Sequence, residues 1–341
     1  MAENDKPDKD EEGKPKVLKG QAALTLARQG KDAWNAWAEE NPGRRVSFWK
    51  ANFTTEANKR ISFNGFFFPG EVSFTEATFL YGHFDGAIFR GEALFSNATF
   101  EDNASFTETI FEHRAAFFTT SFKASSVFLR AIFKDIAQYA GASFNGIVSF
   151  SGSRFQIVPD LRGTDFKNHV TLHGIAVNFR RRAQYGDADK YRRLKELSVN
   201  ARDHDREQMF FAYELIANRG YETRGLKTWP SHLYELFGDF GRSLLRPCSW
   251  LFGVWFGFGI FYRWLETSDK TNHIWDGLLF STAQLFPFLG GAKGTLHDAG
   301  KVLFGAPPFD TVINVMALAE GGLGILFIFL IGLALRNRFR I

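Results

Sequence analysis

The chain has 341 residues, and its 40 phenylalanines outnumber its 32 glycines, an unusual ratio that indicates a repeat built on one bulky side chain. The single cysteine, Cys248, excludes an intrachain disulfide framework and a cysteine-based zinc site. The formal net charge of +4 arises in residues 179–228, which hold twelve bases and eight acids, so it does not indicate a nucleic-acid-binding chain as a whole.

Residues 1–20 are dense in both charges and contain no aromatic residue. Such a segment cannot bury enough apolar surface to offset the entropy of ordering, so we expect a disordered tail. It lacks the apolar centre of a secretory signal, and we therefore expect the chain to start on the cytoplasmic side. Residues 21–45 predict one capping helix, with Trp34 and Trp37 on one face.

Phenylalanines recur every five or six residues through residues 46–178. Two residues before nearly every ring lies a small or β-branched residue, and this offset places both side chains on the inward side of an extended segment. Helical and strand periods of about 3.6 and 2 residues do not explain a five-residue step. A chain that turns a corner about every five residues explains this step, and such a chain forms a four-sided β-solenoid. The predicted core ladder consists of Phe74, Phe79, Phe84, Phe89, Phe95, Phe100, Phe106, Phe111, Phe117, Phe122, Phe128, Phe133, Phe144, Phe150 and Phe155.

The segments VSFTEATF, GAIFRGEALFSNATF, RAAFFTTSF and GIVSFSGSRF resemble the pentapeptide-repeat family. The resemblance implies a right-handed quadrilateral β-helix with a central ladder of Phe or Leu over residues 46–178. This chain differs from the plainest members in preferring Phe and in inserting a sixth residue, which we interpret as a wider turn at alternate corners. About 22 residues per coil would give about six coils and a rod of roughly 30 Å.

Some pentapeptide-repeat proteins resemble duplex DNA and bind topoisomerases, which requires a strongly acidic surface that imitates phosphates. The repeat region is nearly neutral, so we expect neither DNA mimicry nor a nucleic-acid partner. Its histidines lack metal-ligand spacing. Because the chain shows no nucleophile–base set, phosphate loop or metal motif, we expect a non-enzyme without a cofactor or bound metal.

Residues 179–228 predict a basic α-hairpin and linker, with helices beginning near Asp187 and Asp205. Basic side chains in this region lend themselves to two interpretations. They form a solvated face, or they contact anionic lipid headgroups, which attract basic clusters beside a membrane segment. The residues assigned to headgroup contact are Arg180, Arg181, Arg182, Arg192 and Arg193.

Residues 229–341 predict a membrane module. Residues 247–265 and 311–335 are apolar and long enough to cross a bilayer, and Trp250, Tyr262 and Trp264 suit its aromatic belts. Residues 274–289 are apolar but short, which favours a re-entrant or interfacial helix. Residues 231–245 predict an amphipathic helix at the interface.

Arginines flank the outer ends of the two predicted spans, with Arg242 and Arg246 before the first and Arg336 and Arg338 after the second. Basic residues favour the cytoplasmic side, so both termini are expected there. The sequence thus predicts a multi-pass membrane protein, with the lipid bilayer as its first partner.

The segments YELFGDFGRSLLRPCSW, WDGLLFSTAQLFPFLGG and FLIGLALRNRFRI resemble bacterial membrane proteins that join pentapeptide repeats to a channel-like module. The order of span, re-entrant helix and span is that of two-helix cation-channel pores. No TVGYG-type run follows, so a potassium filter is not expected. The resemblance implies a bacterial inner membrane as the location. The leading hypothesis is an oligomeric ion channel, because two helices cannot enclose a pore, and a tetramer is favoured. The alternative is a membrane-anchored scaffold whose β-helix binds a protein partner.

Glu320 lies near the middle of the second predicted span, where an ionised side chain costs about 2.5–3.5 kcal/mol on insertion scales. It must therefore face protein or water. One interpretation places it on a pore with Ser281, Thr282 and Gln284 of the short helix. The other makes it a protonated or hydrogen-bonded carboxyl at a helix contact, where small neighbours such as Gly321 permit close packing.

Overall fold

The computed structural model describes residues 17–179, 184–219, 221, 223, 225–265, 274–286, 292–305 and 311–339. The chain divides into two compact units, Met1–Tyr221 and Glu222–Ile341, and the division falls within the predicted linker. The first unit is a β-solenoid with helices at both ends, and the second is helical.

The strands of the first unit are short and follow one another around the coil. Numbered along the chain, they are β1 Val17–Lys19, β2 Arg45–Ser47, β3 Asn52–Phe53, β4 Phe67–Phe68, β5 Val72–Ser73, β6 Thr78–Phe79, β7 Gly82–His83, β8 Ile88–Phe89, β9 Ala93–Leu94, β10 Thr99–Phe100, β11 Ala104–Ser105, β12 Ile110–Phe111, β13 Ala115–Ala116, β14 Ser121–Phe122, β15 Ser126–Val127, β16 Ile132–Phe133, β17 Ala137–Gln138, β18 Ser143–Phe144, β19 Val148–Ser149, β20 Arg154–Phe155, β21 Asp165–Phe166, β22 Val170–Thr171 and β23 Ala176–Val177.

These strands form four parallel sheets, one for each side of the coil. The sheet orders are β1-β2-β5-β9-β13-β17, β21-β18-β14-β10-β6-β3, β22-β19-β15-β11-β7 and β23-β20-β16-β12-β8-β4. Most partners are 22 residues apart, as with Phe100 and Phe122 or Phe111 and Phe133. The predicted four-sided β-solenoid of about six turns is therefore confirmed, whereas its right-handedness stays a prediction.

The interior of the solenoid is a stack of aromatic rings. All fifteen phenylalanines of the predicted ladder have at most 2% of their surface exposed. Equivalent rings of successive coils lie nearly parallel, with centroids 4.7 Å apart for Phe79 and Phe100 and 5.0 Å apart for Phe74 and Phe95. Neighbouring rings within a coil meet edge to face or at a tilt, an arrangement that the aromatic quadrupole favours.

The corners alternate between two geometries, which accounts for the alternating spacing of the rings. At nearly every five-residue corner the second residue after the ring has a positive φ, as with Asn97 (57°), Glu108 (56°) and Gly141 (73°), and the step from Phe79 to Phe84 is the exception. At the six-residue corners, such as Phe100 to Phe106, the structure gives no positive φ between the two rings. The corners that hold an inserted residue thus lack the tight left-handed turn of the others.

Three hydroxyls at small inward positions are satisfied by the backbone of an earlier coil. Thr109 Oγ1 donates to the carbonyl oxygen of Phe84 (2.8 Å), and Thr120 Oγ1 donates to that of Phe95 (2.7 Å). Ser153 Oγ makes the same bond to Phe128 (2.7 Å). These three hydroxyls therefore lie in the aromatic core with their donors paired, whereas the buried Ser126 Oγ has no hydrogen-bond partner among the described residues.

Tyr139 occupies one position of the ladder, and its ring stacks on Phe117 with centroids 4.8 Å apart. Its side chain is fully buried, and its hydroxyl has no hydrogen-bond partner among the described residues. Burial raises the pKa of the Tyr139 hydroxyl well above its ordinary value. The stacked ring and the unpaired hydroxyl therefore act in opposite directions on stability.

We expect Tyr139→Phe to stabilise the solenoid by about 1–3 kcal/mol, because it removes an unpaired buried donor and keeps the ring. Denaturant unfolding measures the change. Thr120→Val is the matched control, since it deletes a hydroxyl that is paired, and it is expected to lower stability. Equal stabilities of Tyr139→Phe and the parent would contradict the prediction.

The amino-terminal cap differs from the expected tail and single helix. Residues 17–19 form β1, which pairs with β2, so these residues of the predicted tail form a strand. The rest of the predicted tail, residues 1–16, lies outside the described residues. The capping region holds two helices, α1 Gly20–Arg28 and α2 Lys31–Glu40. They are separated at Gly30, whose φ of 89° cannot continue a right-handed helix.

Trp34 of α2 closes the first coil. Its side chain is fully buried and packs on Phe66 and Phe48, with ring centroids 5.3 and 5.9 Å apart. Its Nε1 donates to the carbonyl oxygen of Phe67 (2.9 Å). The cap thus covers the apolar end of the ladder, which would otherwise contact water.

Two antiparallel helices follow the last coil, α3 Asp187–Asn200 and α4 His204–Asn218. The second begins where Asp203 Oδ1 accepts a hydrogen bond from the backbone N–H of Arg206 (3.1 Å), a side-chain N-cap. Leu194 and Phe210 are fully buried, and Phe179 stacks on Tyr213 with centroids 4.4 Å apart. The hairpin is therefore packed as part of the first unit's core.

The second unit contains α5 Trp229–Gly238, α6 Leu245–Trp264, α7 Ile274–Leu285, α8 Ala292–Phe304 and α9 Thr311–Arg338, with single 3₁₀ turns at Gly225–Thr228 and Asp239–Gly241. The interfacial helix expected over 231–245 ends early, because Asp239 and Phe240 adopt positive φ values of 48° and 56°. The helix α8 was not predicted, because its sequence contains two glycines and lacks a continuous apolar run.

Among the described residues one helix, Thr311–Arg338, is long and apolar enough to cross a membrane. The segment Leu245–Trp264 meets the same criterion only together with Gly225–Gly241, and the two are bent by 116°. The helical nature of the carboxyl-terminal region is thus established, while the arrangement of two spans stays a prediction.

Candidate functional site

A buried polar cluster joins α6, α7 and α9 around Glu320. Glu320 Oε2 accepts a hydrogen bond from Tyr262 Oη of α6 (2.8 Å), and Glu320 Oε1 is hydrogen-bonded to Ser281 Oγ of α7. All three side chains are fully buried within one chain. The carboxyl group therefore holds three helices together by contacts that a single protomer completes.

Ser281 and Thr282 link α7 to the backbone and indole of α6. Ser281 Oγ lies 2.9 Å from the carbonyl oxygen of Trp255, in addition to its contact with Glu320. Trp255 Nε1 donates to Thr282 Oγ1 (2.9 Å), and Thr282 Oγ1 donates to the carbonyl oxygen of Leu278 (2.7 Å). The polar atoms of this helix contact thus form one connected set.

Glycines bring the helix backbones close together around this cluster. A Cβ atom at Gly324 of α9 would lie 2.8 Å from the carbonyl oxygen of Leu285, and one at Gly277 of α7 would lie 2.2 Å from that of Gly259. Both distances are shorter than real Cβ contacts, so larger residues would force the helices apart. Close packing therefore fixes the distances that the Glu320 hydrogen bonds require.

The four residues predicted to line a pore are adjacent in the structure but not equally accessible. Glu320 and Ser281 are fully buried, whereas Thr282 and Gln284 are half-buried. Within a single chain Glu320 is buried and hydrogen-bonded at a contact between helices, which agrees with the second interpretation of this residue and not with a position on a pore. Its exposure to a pore axis in an oligomer stays a prediction.

Tyr262 is the residue of this cluster that the sequence analysis did not identify. Its position near the end of an apolar run suggested an aromatic belt, but its side chain is fully buried and its hydroxyl binds Glu320. Tyr262 could have been identified from its chemistry. A buried carboxyl needs a hydrogen-bond donor, and Tyr262 carries a hydroxyl in the other long apolar segment.

The arginines assigned to lipid headgroups are only partly described, because Arg180, Arg181 and Arg182 lie outside the described residues. Arg192 donates through Nε to Glu214 (2.8 Å) and through Nη1 to Asp189 (2.7 Å). Arg193 Nη2 donates to the carbonyl oxygen of Thr164 (2.9 Å). These contacts indicate that Arg192 and Arg193 stabilise the hairpin and its attachment to the last coils.

The outer surface of the solenoid alternates positive and negative charges between coils. Ion pairs join residues one coil apart, among them Glu92 with Arg114 (2.7 Å), Glu101 with Lys123 (2.8 Å), Glu108 with Arg130 (2.6 Å) and Glu112 with Lys134 (2.8 Å). The hydrogen bond from Lys134 is the main cause of a lowered pKa at Glu112, although burial opposes it. Exposed pairs of this kind contribute little stability, but they leave no extended acidic face on these coils.

Residues 74–121 match the family model of pentapeptide repeats, with nine copies. The match begins at a ring of the ladder and ends in β14, within the four-sheeted part of the first unit. No curated protein and no solved structure matches the chain. The chain therefore contains pentapeptide repeats folded as a β-solenoid, and an α-helical region follows them.

Proposed function

We propose that this is a bacterial inner-membrane protein in which residues 229–341 anchor a cytoplasmic pentapeptide-repeat solenoid that binds a protein partner. The burial of Glu320 carries this proposal. The one acidic side chain of α9 is enclosed and hydrogen-bonded within its own chain. The helices instead expose apolar side chains such as Leu318 (79%), Phe329 (61%) and Phe252 (61%), which suit contact with lipid tails.

The solenoid supports a binding rather than a catalytic role. Its interior is filled with stacked rings, and its surface presents four regular strips of side chains at the spacing of the coils. Among the described residues no group of three His, Cys, Asp or Glu could hold a metal ion. Repeat proteins of this kind offer long regular surfaces that partners recognise through many weak contacts.

Membrane fractionation tests the anchor. The full chain is expected to stay in the membrane fraction after an alkaline wash, because apolar helices that span or enter the bilayer are not extracted by pH. A chain that ends at Tyr221 is expected in the soluble fraction with its solenoid folded. Release of the full chain by the wash, or retention of the truncated chain, would contradict the proposal.

An oligomeric ion channel, preferably a tetramer, is the second candidate function. The packing of the short helix α7 against both α6 and α9 supports it, since this is the order of elements in two-span pore subunits. Thr282 and Gln284 of α7 are half-buried and would be the polar groups nearest to water if copies assembled around this helix.

Sizing in detergent and ion flux in liposomes separate the two candidates. A channel requires an oligomer and a cation flux that falls when Thr282→Val or Gln284→Leu removes a polar group from the path. An anchored scaffold passes no ions, whatever its oligomeric state. If the ion flux is the same in both variants and in the parent, the ions do not pass Thr282 and Gln284.

The topology proposal, with both termini in the cytoplasm, predicts opposite labelling of two introduced cysteines. Cys248 is exposed and is first replaced by serine. Cysteine at Asn272, which lies outside the described residues, is expected to react with a membrane-impermeant maleimide from the periplasm. Cysteine at Phe339, an exposed position, is expected to react only after the membrane is opened. Labelling of both from one side would exclude two spans.

A further inference from the structure

The amino-terminal cap contains a cavity of about 440 Å³ that the repeat does not account for. It lies between the turn that joins α1 to α2 and the irregular segment around Arg60, where the five-residue spacing of rings is interrupted. The cavity belongs entirely to the first unit. Its volume falls in the range of small-molecule sites, which is about 300–1,000 Å³.

Three cationic side chains line this cavity: Arg28, Lys31 and Arg60. Among the described residues that line it there is no carboxylate, and none of the three cations makes an ion pair with a described residue. Elsewhere on the solenoid basic residues commonly pair with a glutamate of an adjacent coil. Three like charges around one concavity repel one another, and a bound anion would relieve that repulsion.

Arg28 is held in place by a buried amide. Its Nε and Nη2 both donate to Asn58 Oδ1, at 3.1 and 2.8 Å, and Asn58 is 7% exposed. Asn58 Nδ2 in turn donates to the carbonyl oxygen of Asn52 (2.8 Å). A guanidinium has five N–H donors, so this fixed arginine keeps donors for a ligand.

The amino terminus of α2 adds to the positive potential of the cavity. Gly30 and Lys31, its N-cap and first residue, both line the cavity, and Gly30 supplies no side chain to cap the first turn. The free N–H groups of a helix's first turn and the helix dipole favour an anion there. The amino terminus of this ten-residue helix therefore adds to the positive potential of the three side chains, which are the main basis of the site.

The remaining wall is partly apolar, with Ala27, Ile61 and Phe66 beside the polar Ser62 and Asn64. A simple inorganic ion would leave most of a cavity of this size unfilled. Three cations suit a dianion better than a monocarboxylate, and arginine matches phosphate geometry through paired N–H donors. We propose that this cavity binds an organic phosphate monoester, with its phosphate on Arg28, Lys31 and Arg60 and its body against Ile61 and Phe66.

Calorimetric titration of the full chain in a maltoside detergent tests the proposal. The probes are phenyl phosphate, for a soluble monoester, and dihexanoyl phosphatidic acid, for a lipid headgroup with the same chemistry. We expect at least one of them to bind. Lys31→Gln/Arg60→Gln should weaken that binding by at least about tenfold, because it removes two charge-assisted contacts. Arg60→Gln alone, on an exposed loop, should weaken it by a smaller factor.

Arg45→Gln is the matched control, since Arg45 is an exposed arginine of the same cap that does not line the cavity. It should bind like the parent, and unchanged melting of every variant without ligand shows that folding is intact. Binding of phenyl phosphate alone would identify a soluble ester, and binding of phosphatidic acid alone a headgroup. No binding of either probe, equal binding of benzoate, or equal affinities of the double variant and Arg45→Gln would each overturn the proposal.

Discussion

Replacing Phe111 with alanine is expected to destabilise the solenoid by about 3–5 kcal/mol. Phe111 is fully buried, and its ring is stacked between Phe89 and Phe133, with centroids 4.9 and 4.8 Å away. Phe117 meets it edge to face at 6.1 Å. Because these neighbours are fixed by their own stacks, they cannot move to fill the cavity that alanine leaves.

Guanidinium unfolding of a fragment spanning residues 17–221, which contains every described residue of the first unit, measures this loss. Ile110→Ala is the control, since Ile110 precedes Phe111 in β12 but is half-buried and outside the stack. The control is expected to cost about 1 kcal/mol or less. The hydrogen-exchange protection of the two adjacent coils should fall with Phe111→Ala, because each coil contacts mainly its neighbours.

A Phe111→Ala fragment that unfolds at the same denaturant concentration as the parent would contradict the central role of the ladder. The same experiment at Phe155, whose ring has a stacked neighbour on one side, should give a smaller loss than at Phe111. A loss that is independent of position would mean that ring stacking between coils contributes little. Hydrophobic burial alone would then account for the stability.

The solenoid was predictable because each of its coils repeats the same local signal. Ring and small residue recur with a fixed offset, so an error at one position, such as Tyr139, does not shift the register of the others. The caps carry no such redundancy. The strand Val17–Lys19 pairs with Arg45–Ser47, 28 residues later, and nothing in its own three residues indicates that partner. The break of the capping helix depends on one backbone angle at Gly30.

In the second unit the apolar runs predicted the approximate positions of α6, α7 and α9, because their length and composition are local properties. The contacts between the helices were harder to predict from the sequence. Tyr262 and Glu320 are 58 residues apart, and their pairing depends on glycine contacts that set the depth and rotation of each helix. The candidate site was therefore predicted as a set of polar residues, without the donor that completes it.

The hydrogen bonds of Ser281 constrain the protonation of Glu320. Ser281 Oγ has one hydrogen, yet it lies near two oxygens, those of Glu320 and of the Trp255 carbonyl. If Glu320 is protonated, it donates to Ser281 Oγ, and Ser281 donates to Trp255, so every oxygen has a partner. An ionised Glu320 would instead compete with the Trp255 carbonyl for that single hydrogen. The geometry thus favours a neutral carboxyl.

A neutral Glu320 predicts that Glu320→Gln changes the free energy of unfolding by about 1 kcal/mol or less. The glutamine amide would donate to Ser281 through Nε2 and accept from Tyr262 through Oε1, as the protonated carboxyl does. Unfolding in mixed micelles of maltoside and dodecyl sulfate, followed by the helical circular dichroism signal, measures the change. A glutamine variant that loses several kcal/mol would show that the charge of Glu320 matters.

Glu320→Leu is expected to cost about 2–4 kcal/mol, because the fully buried Tyr262 hydroxyl then lacks an acceptor and Ser281 loses one of its two contacts. Adding Tyr262→Phe removes that hydroxyl as well, so the double variant should recover most of the loss. Tyr262→Phe alone should be destabilising, since it leaves Glu320 with one partner fewer. The recovery is the decisive quantity, since a direct Tyr262–Glu320 interaction makes the two substitutions non-additive. Additive losses would mean that the two side chains stabilise the helices independently, which would contradict a direct interaction between them.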